Sequence, residues 1–189
     1  MTTNQPLLLA LCANGRQAGK DTVAHYIADY CKHAKLSYRR MAFADHGKWL
    51  VACALSIPVS DIEQFKLSGS VFVKGRGHID GRQFIINLLE TGAKQVFGPD
   101  VWVDQLLPHT WTPHADVTVI TDLRFDVEAA RVKALGGRII EVVRPGAEAG
   151  QSEGELTVGC DTILNNTGNP LELRKRVYKL MAHLFVYGR

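Results

Sequence analysis

Leu7-Leu8-Leu9-Ala10-Leu11-Cys12-Ala13-Asn14-Gly15-Arg16-Gln17-Ala18-Gly19-Lys20-Asp21-Thr22 decides how the rest of the chain is read. The unbroken apolar run from Leu7 to Ala13 predicts a buried strand. Asn14 to Gly19 has turn composition, and beyond Lys20 the apolar residues recur at helical spacing. A strand, a glycine-bearing loop and a helix in that order predict a phosphate-binding loop. Glycines let the backbone curl so that successive N–H groups face a polyphosphate. The helix start adds partial positive charge, and Lys20 adds a full one. Gly15, Gln17, Ala18, Gly19, Lys20, Asp21 and Thr22 are therefore the residues expected to hold a nucleoside triphosphate.

Two positions depart from the usual form of such a loop. Asn14 stands five residues before Gly19, where glycine is usual. Asn tolerates left-handed backbone better than most residues, and Gly15 follows at once. Asp21 stands where a Ser or Thr normally follows the lysine to hold Mg²⁺. Thr22 can supply the hydroxyl, and Asp21 can bind the metal through water or act on the substrate side.

Outward from the loop, strands and helices alternate. Val23, Ile27, Tyr30 and Cys31, with Ala24 and Ala28 beside them, predict a helix to about Lys35. A strand over Tyr38–Ala44 and a helix from Asp45 to Pro58 follow, the latter carrying Leu50, Ala54 and Ile57 inward. From Val59 to Asp80 the periodicity fades into Gly- and Ser-rich sequence, read as an irregular, functional or mobile segment. Gly81 opens a helix with Ile85, Leu88, Leu89, Ala93 and Val96 on one face, closed by Gly98-Pro99. A short helix over Asp100–Leu107, a strand over Val117–Thr121, a helix over Asp126–Leu135 and a strand over Arg138–Val143 come next. A polar loop at 145–159 and a short strand over Asp161–Leu164 lead to the last helix, started by Asn169-Pro170-Leu171-Glu172. Its expected core stripe is Leu173, Val177, Leu180 and Leu184. Short apolar strands between helices predict an α/β fold: three layers, α/β/α, around a parallel sheet covered on both faces.

Length and composition set limits. With 189 residues, 46% of them hydrophobic, the chain suits a single domain over 1–189 with a substantial core. The net charge of +3 is spread without a basic tract, which argues against nucleic-acid binding. The N-terminal apolar run is too short to span a membrane and lacks a basic lead, so a cytosolic protein is expected. Cys12, Cys31, Cys53 and Cys160 show no metal-site spacing and read as reduced, mostly buried thiols. His109 and His114 read as loop residues.

A second chemistry-bearing stretch is Val117-Thr118-Val119-Ile120-Thr121-Asp122-Leu123-Arg124-Phe125. It puts an acid at the end of an apolar strand and an arginine two residues on. Beside a phosphate loop, such an acid orients Mg²⁺ or its water, and the arginine can grip phosphate oxygens bidentately. Taken alone, Asp122 could equally cap the next helix, and Arg124 could be a solvated charge. Ligands of parallel sheets bind at the carboxyl ends of the strands, where the Lys20 loop and Asp122 both fall.

Gly19-Lys20-Asp21-Thr22, Phe43-Ala44-Asp45 with Lys48, Gly98-Pro99-Asp100-Val101-Trp102-Val103, Asp122-x-Arg124-Phe125 with Glu128, Gly136-Gly137 to Val142-Val143-Arg144-Pro145, Ser152-Glu153 and Asn165-Asn166-x-Gly168 occur in that order over almost the whole chain. Together they resemble the phage-type deoxynucleoside monophosphate kinases. The resemblance implies a P-loop kinase fold like that of adenylate kinase. It also implies a cytoplasmic enzyme, in the host cytoplasm if phage-encoded, that moves the γ-phosphoryl of ATP to a deoxynucleoside monophosphate with Mg²⁺.

The charges of these residues and the resemblance together distribute roles. Lys20, Arg16, Asp122 and Arg124 would be catalytic, with Arg16 crossing between the two substrates. Asp21, Thr22 and Asp122 would hold the metal, and Arg144 would border the ATP base together with Ser152-Glu153. Lys48, Arg82, Arg124, Glu128 and Arg131 would serve the monophosphate, and the 59–80 segment would close over it. Trp102 reads first as core. A homodimer is implied as well. Gly150 departs from the family, which often has histidine there, and the stretch from Leu89 to Gly98 is shorter than usual. Other small-molecule kinases of this scaffold, acting on phosphomevalonate or dephospho-coenzyme A, share Gly-Lys-Asp loops. A nucleotide-binding regulatory protein without turnover is a further alternative.

Overall fold

The computed structural model describes residues 6–15, 17–147 and 156–187. They divide into two compact units, one formed by the chain up to Ala42 and from His109 onward, the other by Phe43–Pro108.

The first unit is built on five parallel strands: β1 (Leu7–Ala13), β2 (Tyr38–Met41), β5 (Val117–Ile120), β6 (Arg138–Val143) and β7 (Thr162–Asn165), in the order β2-β5-β1-β6-β7. β1 lies at the centre, Leu7 to Ala10 against Val117 to Ile120 and Leu9 to Ala13 against Arg138 to Val142. Such a strand is covered above, below and on both edges, which is why it reads as continuous apolar sequence. Residues of β1 alternate between the two faces. Leu9 and Leu11 pack with Val23, Ala24, Ile27 and Cys31 of α1 (Lys20–His33) and with Leu173, Val177, Met181 and Leu184 of α8 (Pro170–Tyr187). Leu8 points the other way, toward Val132 of α7 (Asp126–Ala134). An α/β arrangement with helices on both faces of a parallel sheet is thus present. On α8 the buried stripe runs through Met181, and Leu180, expected there, is only partly covered. Asn169 caps α8 as predicted, its Oδ1 accepting from the Glu172 N–H at 3.0 Å.

The second unit holds α2 (Ala44–Leu55), a single 3-10 turn at Val59–Asp61, α3 (Ile62–Ser68), a hairpin of β3 (Ser70–Val73) and β4 (Gly77–Asp80), α4 (Gly81–Ile86), α5 (Lys94–Phe97) and α6 (Val101–Leu106). The irregular segment expected from Val59 to Asp80 is therefore ordered, with Val71 opposite Ile79 and Phe72 opposite His78. Its four-residue strands are only half buried, so their alternation is short and weak. Gly75 and Gly77, which supply the positive φ of the turn, give the segment its loop-like composition. The helix predicted from Gly81 to Phe97 is interrupted by a π-helical stretch, Asn87–Ala93. Wider winding rotates the following turn away from the 3.6-residue phase, leaving Val96, expected on the core face, 73% exposed. In α2 the buried residues are Gly47, Val51 and Ala52, whereas Ala54 is exposed and Leu50 only partly covered. Close approach explains that shift, because Gly47 lies against Leu89 with no room for a Cβ.

Two of the four thiols, Cys12 and Cys31, are buried; Cys53 is exposed and Cys160 half-buried, which corrects the expectation of mostly buried thiols. No helix among the described residues is long and apolar enough to cross a membrane.

Gly137 leads into β6 beneath α7. A Cβ there would stand 2.7 Å from Val132 Cγ1, 2.9 Å from the Val132 carbonyl oxygen and 3.0 Å from Leu8 Cδ2. Gly137→Ala should destabilise the protein by about 1–3 kcal/mol, read from denaturant unfolding, because backbone as well as side chain must move.

Candidate functional site

The loop between β1 and α1 is shaped by left-handed residues. Gly19 takes φ 104° and ψ 20° as the residue preceding α1, and having no side chain it leaves the first turn of the helix uncapped. Gln17 is also left-handed, at φ 56°, whereas Asn14 is not, so the conformational reason expected for Asn14 does not apply. Arg16 lies outside the described residues, as do Gly150, Ser152 and Glu153.

Carbonyl clamps fix the loop. The Arg144 guanidinium donates from Nη1 to the Gln17 carbonyl at 3.2 Å, and Asn166 Nδ2 donates to the Ala18 carbonyl at 2.7 Å. In a trans peptide the N–H of the next residue points opposite to the carbonyl. Holding those two carbonyls toward the ends of β6 and β7 therefore turns the amides of Ala18 and Gly19 away from the clamps. Successive N–H groups ahead of a helix start are the kind of donors that anions bind. Lys20, the first residue of α1, is half-buried, and Asp21 and Thr22 are exposed on the first turn. In the sequence Asn166 is only a member of the Asn165-Asn166-x-Gly168 motif. Its role is a contact across 148 positions, which leaves no spacing signal.

The acid-and-arginine segment follows β5, the neighbour of β1, so it opens at the same carboxyl edge of the sheet. Asp122 is half-buried and Arg124 exposed. Their turn is fixed from within by Glu128, 6% exposed, whose Oε2 accepts from the Arg124 N–H at 2.7 Å and the Phe125 N–H at 3.1 Å. Burial is the main cause that raises the Glu128 carboxyl to about 7, and the Asp122 charge adds to it, while the two N–H bonds and Arg124 pull the other way. The carboxylate assigned to the substrate by resemblance is thus engaged with the backbone that carries Arg124. Asp126, next along, accepts from the Thr157 and Val158 N–H groups at 2.8 and 3.1 Å, which pins the chain after the 148–155 stretch to the start of α7. These bonds, with that from the Thr157 hydroxyl, hold the Asp126 carboxyl below its ordinary range. Arg131 is half-buried on α7.

Lys48 and Arg82 belong to the second unit. Lys48 pairs with Glu63 at 3.0 Å and holds that carboxyl below its ordinary range. Arg82 is exposed in the first turn of α4, which Asp80 caps by accepting from the Gln83 N–H at 2.8 Å. Trp102 is half-buried on α6. Among the described residues there is no group of three or more His, Cys, Asp or Glu able to enclose a metal. Asp21, Thr22 and Asp122 offer hard oxygen donors of the kind that complete a Mg²⁺ shell otherwise filled by water and phosphate.

No protein-family model matches the chain, and no curated protein matches it in sequence.

The buried acid makes a test. A folded carboxyl raised from 4.5 to about 7 binds more protons than the unfolded one between those values, so its contribution to stability falls as pH rises through that window. Glu128→Gln keeps an oxygen acceptor for both N–H groups and removes the titration. Between pH 5 and pH 7 the parent protein should lose about 1–3 kcal/mol relative to the variant in urea unfolding.

Proposed function

We propose that this protein is an ATP-dependent, Mg²⁺-requiring kinase of deoxynucleoside monophosphates on a P-loop kinase fold. One observation carries the reading: the carbonyls of Gln17 and Ala18 are held by Arg144 and Asn166, which sets the amides of Ala18 and Gly19 on the far side of each peptide, directly before Lys20 and a helix start with no side-chain cap. That arrangement suits the β- and γ-phosphates of a nucleotide. The segment carrying Asp122 and Arg124, at the end of the adjoining strand, supports a site that does more than bind.

In the proposed reaction an oxygen of the acceptor phosphate attacks the γ-phosphorus of ATP, and the bond from that phosphorus to the β–γ bridging oxygen breaks, releasing ADP. Little covalent work falls to the protein, so alignment and charge neutralisation dominate. Lys20 bridges the donor phosphates, and Arg124 holds phosphate oxygens of the acceptor or of the group in flight. Arg16, from its place in the loop sequence, would span the two. Asp21, Thr22 and Asp122 would hold Mg²⁺, which when bound would neutralise phosphate charge. Arg131, by resemblance, serves the acceptor phosphate, and Arg144 flanks the nucleotide from the end of β6.

A coupled ADP-release assay with ATP, Mg²⁺ and a panel of deoxynucleoside and ribonucleoside monophosphates tests this. Stimulation by deoxynucleoside monophosphates is the expected result. Stimulation by phosphomevalonate or dephospho-coenzyme A instead would move the protein to another kinase class, as the Asp21 position allows. ATP binding with no acceptor stimulating turnover would favour a regulatory role. Lys20→Ala should lower turnover by about 2–4 kcal/mol of transition-state stabilisation, roughly 30- to 1000-fold, with unfolding behaviour unchanged.

A further inference from the structure

Asn14 is the loop residue that the phosphate-binding pattern leaves without a purpose, since glycine is usual there and the backbone at Asn14 is not left-handed. Its exposed side chain bonds the backbone of one residue twice. Asn14 Oδ1 accepts from the Arg144 N–H at 3.1 Å, and Asn14 Nδ2 donates to the Arg144 carbonyl at 3.3 Å. A planar carboxamide presents one acceptor and one donor side by side, so it pairs with the N–H and C=O of a single residue as a neighbouring strand would. The Asn14 N–H also donates to the Val142 carbonyl at 3.4 Å. The β1–β6 pairing is thereby carried past the last residues of both strands. Arg144 then reaches back, its guanidinium donating to the Gln17 carbonyl three residues beyond Asn14. A closed circuit results, running from the Asn14 side chain to the Arg144 backbone, out along the Arg144 side chain to Gln17, and back through the loop.

We propose that Asn14 is a positioning residue, which fixes the backbone of Arg144 at the end of β6 so that its guanidinium sets the Gln17–Ala18 peptide with the Ala18 amide turned toward the bound phosphates. This rests on the reading of the loop as a nucleotide site. The circuit closes at a branch in the topology. After β1 the chain leaves toward β2, and after β6 it leaves toward β7, on the opposite side. Carboxyl ends that diverge in this way open the crevice in which ligands of parallel sheets bind. Across that crevice, the side-chain pair of Asn14 with residue 144 supplies the cross-link that the diverging backbones do not. Glycine at position 14 would leave both polar groups of Arg144 without this partner. Serine is too short to span both, and aspartate would set a carboxylate oxygen against the Arg144 carbonyl.

The test is a double-mutant cycle on ATP affinity, measured calorimetrically with Mg²⁺ on the full chain, with thermal unfolding followed on the same samples. Asn14→Ala and Asn14→Gly should each weaken ATP binding about fivefold, the scale of one neutral hydrogen bond. In the Arg144→Ala background, Asn14→Ala should produce no further loss in affinity, because the guanidinium through which it acts is gone while the backbone at 144 remains. Equal or tighter binding by Asn14→Gly overturns the inference, since Asn14 would then be only a tolerated substitute for glycine. Losses that multiply in the double variant overturn it also, as does a lowered melting temperature with unchanged affinity. Those outcomes are distinct from an absence of ATP binding by the parent protein, which overturns the loop reading itself and this inference with it.

Discussion

Everything at the carboxyl edge of the sheet depends on β1 being held on four sides. Its neighbours β5 and β6 pair with it on both edges, while α1 with α8 covers one face and α7 the other. A strand so enclosed cannot slip by a residue without turning Leu9 and Leu11 out of one core and Leu8 out of the other. The position of Ala13 is therefore fixed, and the loop that follows begins from a rigid point. A loop required to present amides at hydrogen-bond distance from a ligand needs such an origin, because a small displacement at the strand end would be passed on to every N–H after it.

Rigidity at one end does not set the peptide planes within the loop, and the chain does so by holding carbonyls. Arg144 and Asn166 come from the ends of β6 and β7, and each binds the outward oxygen of a loop peptide. Orientation of an N–H through its own peptide's carbonyl keeps the donor open for a ligand, which a cap bonded to the N–H would not. The Asp122–Phe125 turn uses the opposite device. There Glu128 binds N–H groups from the inside, and burial of its carboxyl offsets part of what those bonds contribute. The first device sets loop peptides through their carbonyls, and the second holds the backbone turn that carries Asp122 and Arg124. Each suits what its segment presents.

How far the sequence revealed these features follows from the range of the interactions involved. β1 was legible to the residue because a buried central strand leaves a continuous apolar run, β6 because Gly136-Gly137 bounds a short apolar-rich stretch, and the α1 face because Val23, Ala24, Ile27 and Cys31 obey a local period. The loop was legible from Gly19 and Lys20. The hairpin within 59–80 was not, since its four-residue strands have half-buried faces and its turn glycines mimic loop composition. The π-helical stretch was not, since its sequence keeps an α-helical apolar pattern while the backbone leaves that period. The clamps were illegible for a different reason. A side-chain amide or guanidinium bound to a main-chain carbonyl 127 or 148 positions away constrains no neighbouring residue type.

Asn14 joins the two kinds of information. As a residue in a motif it looks like a defect, and only the long-range pairing with Arg144 gives it a purpose. Its cross-strand pair spans the place where the chain diverges after β1 and after β6, so it acts where main-chain pairing between those strands has run out. A departure from a local pattern is informative when a non-local contact accounts for it, because the residue then answers to a constraint the pattern does not encode. Asp21 is the other departure in the same loop, and it differs in kind: both residues are exposed, but Asn14 is bonded to Arg144 across the end of the sheet while Asp21 stands in the first turn of α1. The fold itself therefore accounts for Asn14, and the proposed site is left to account for Asp21.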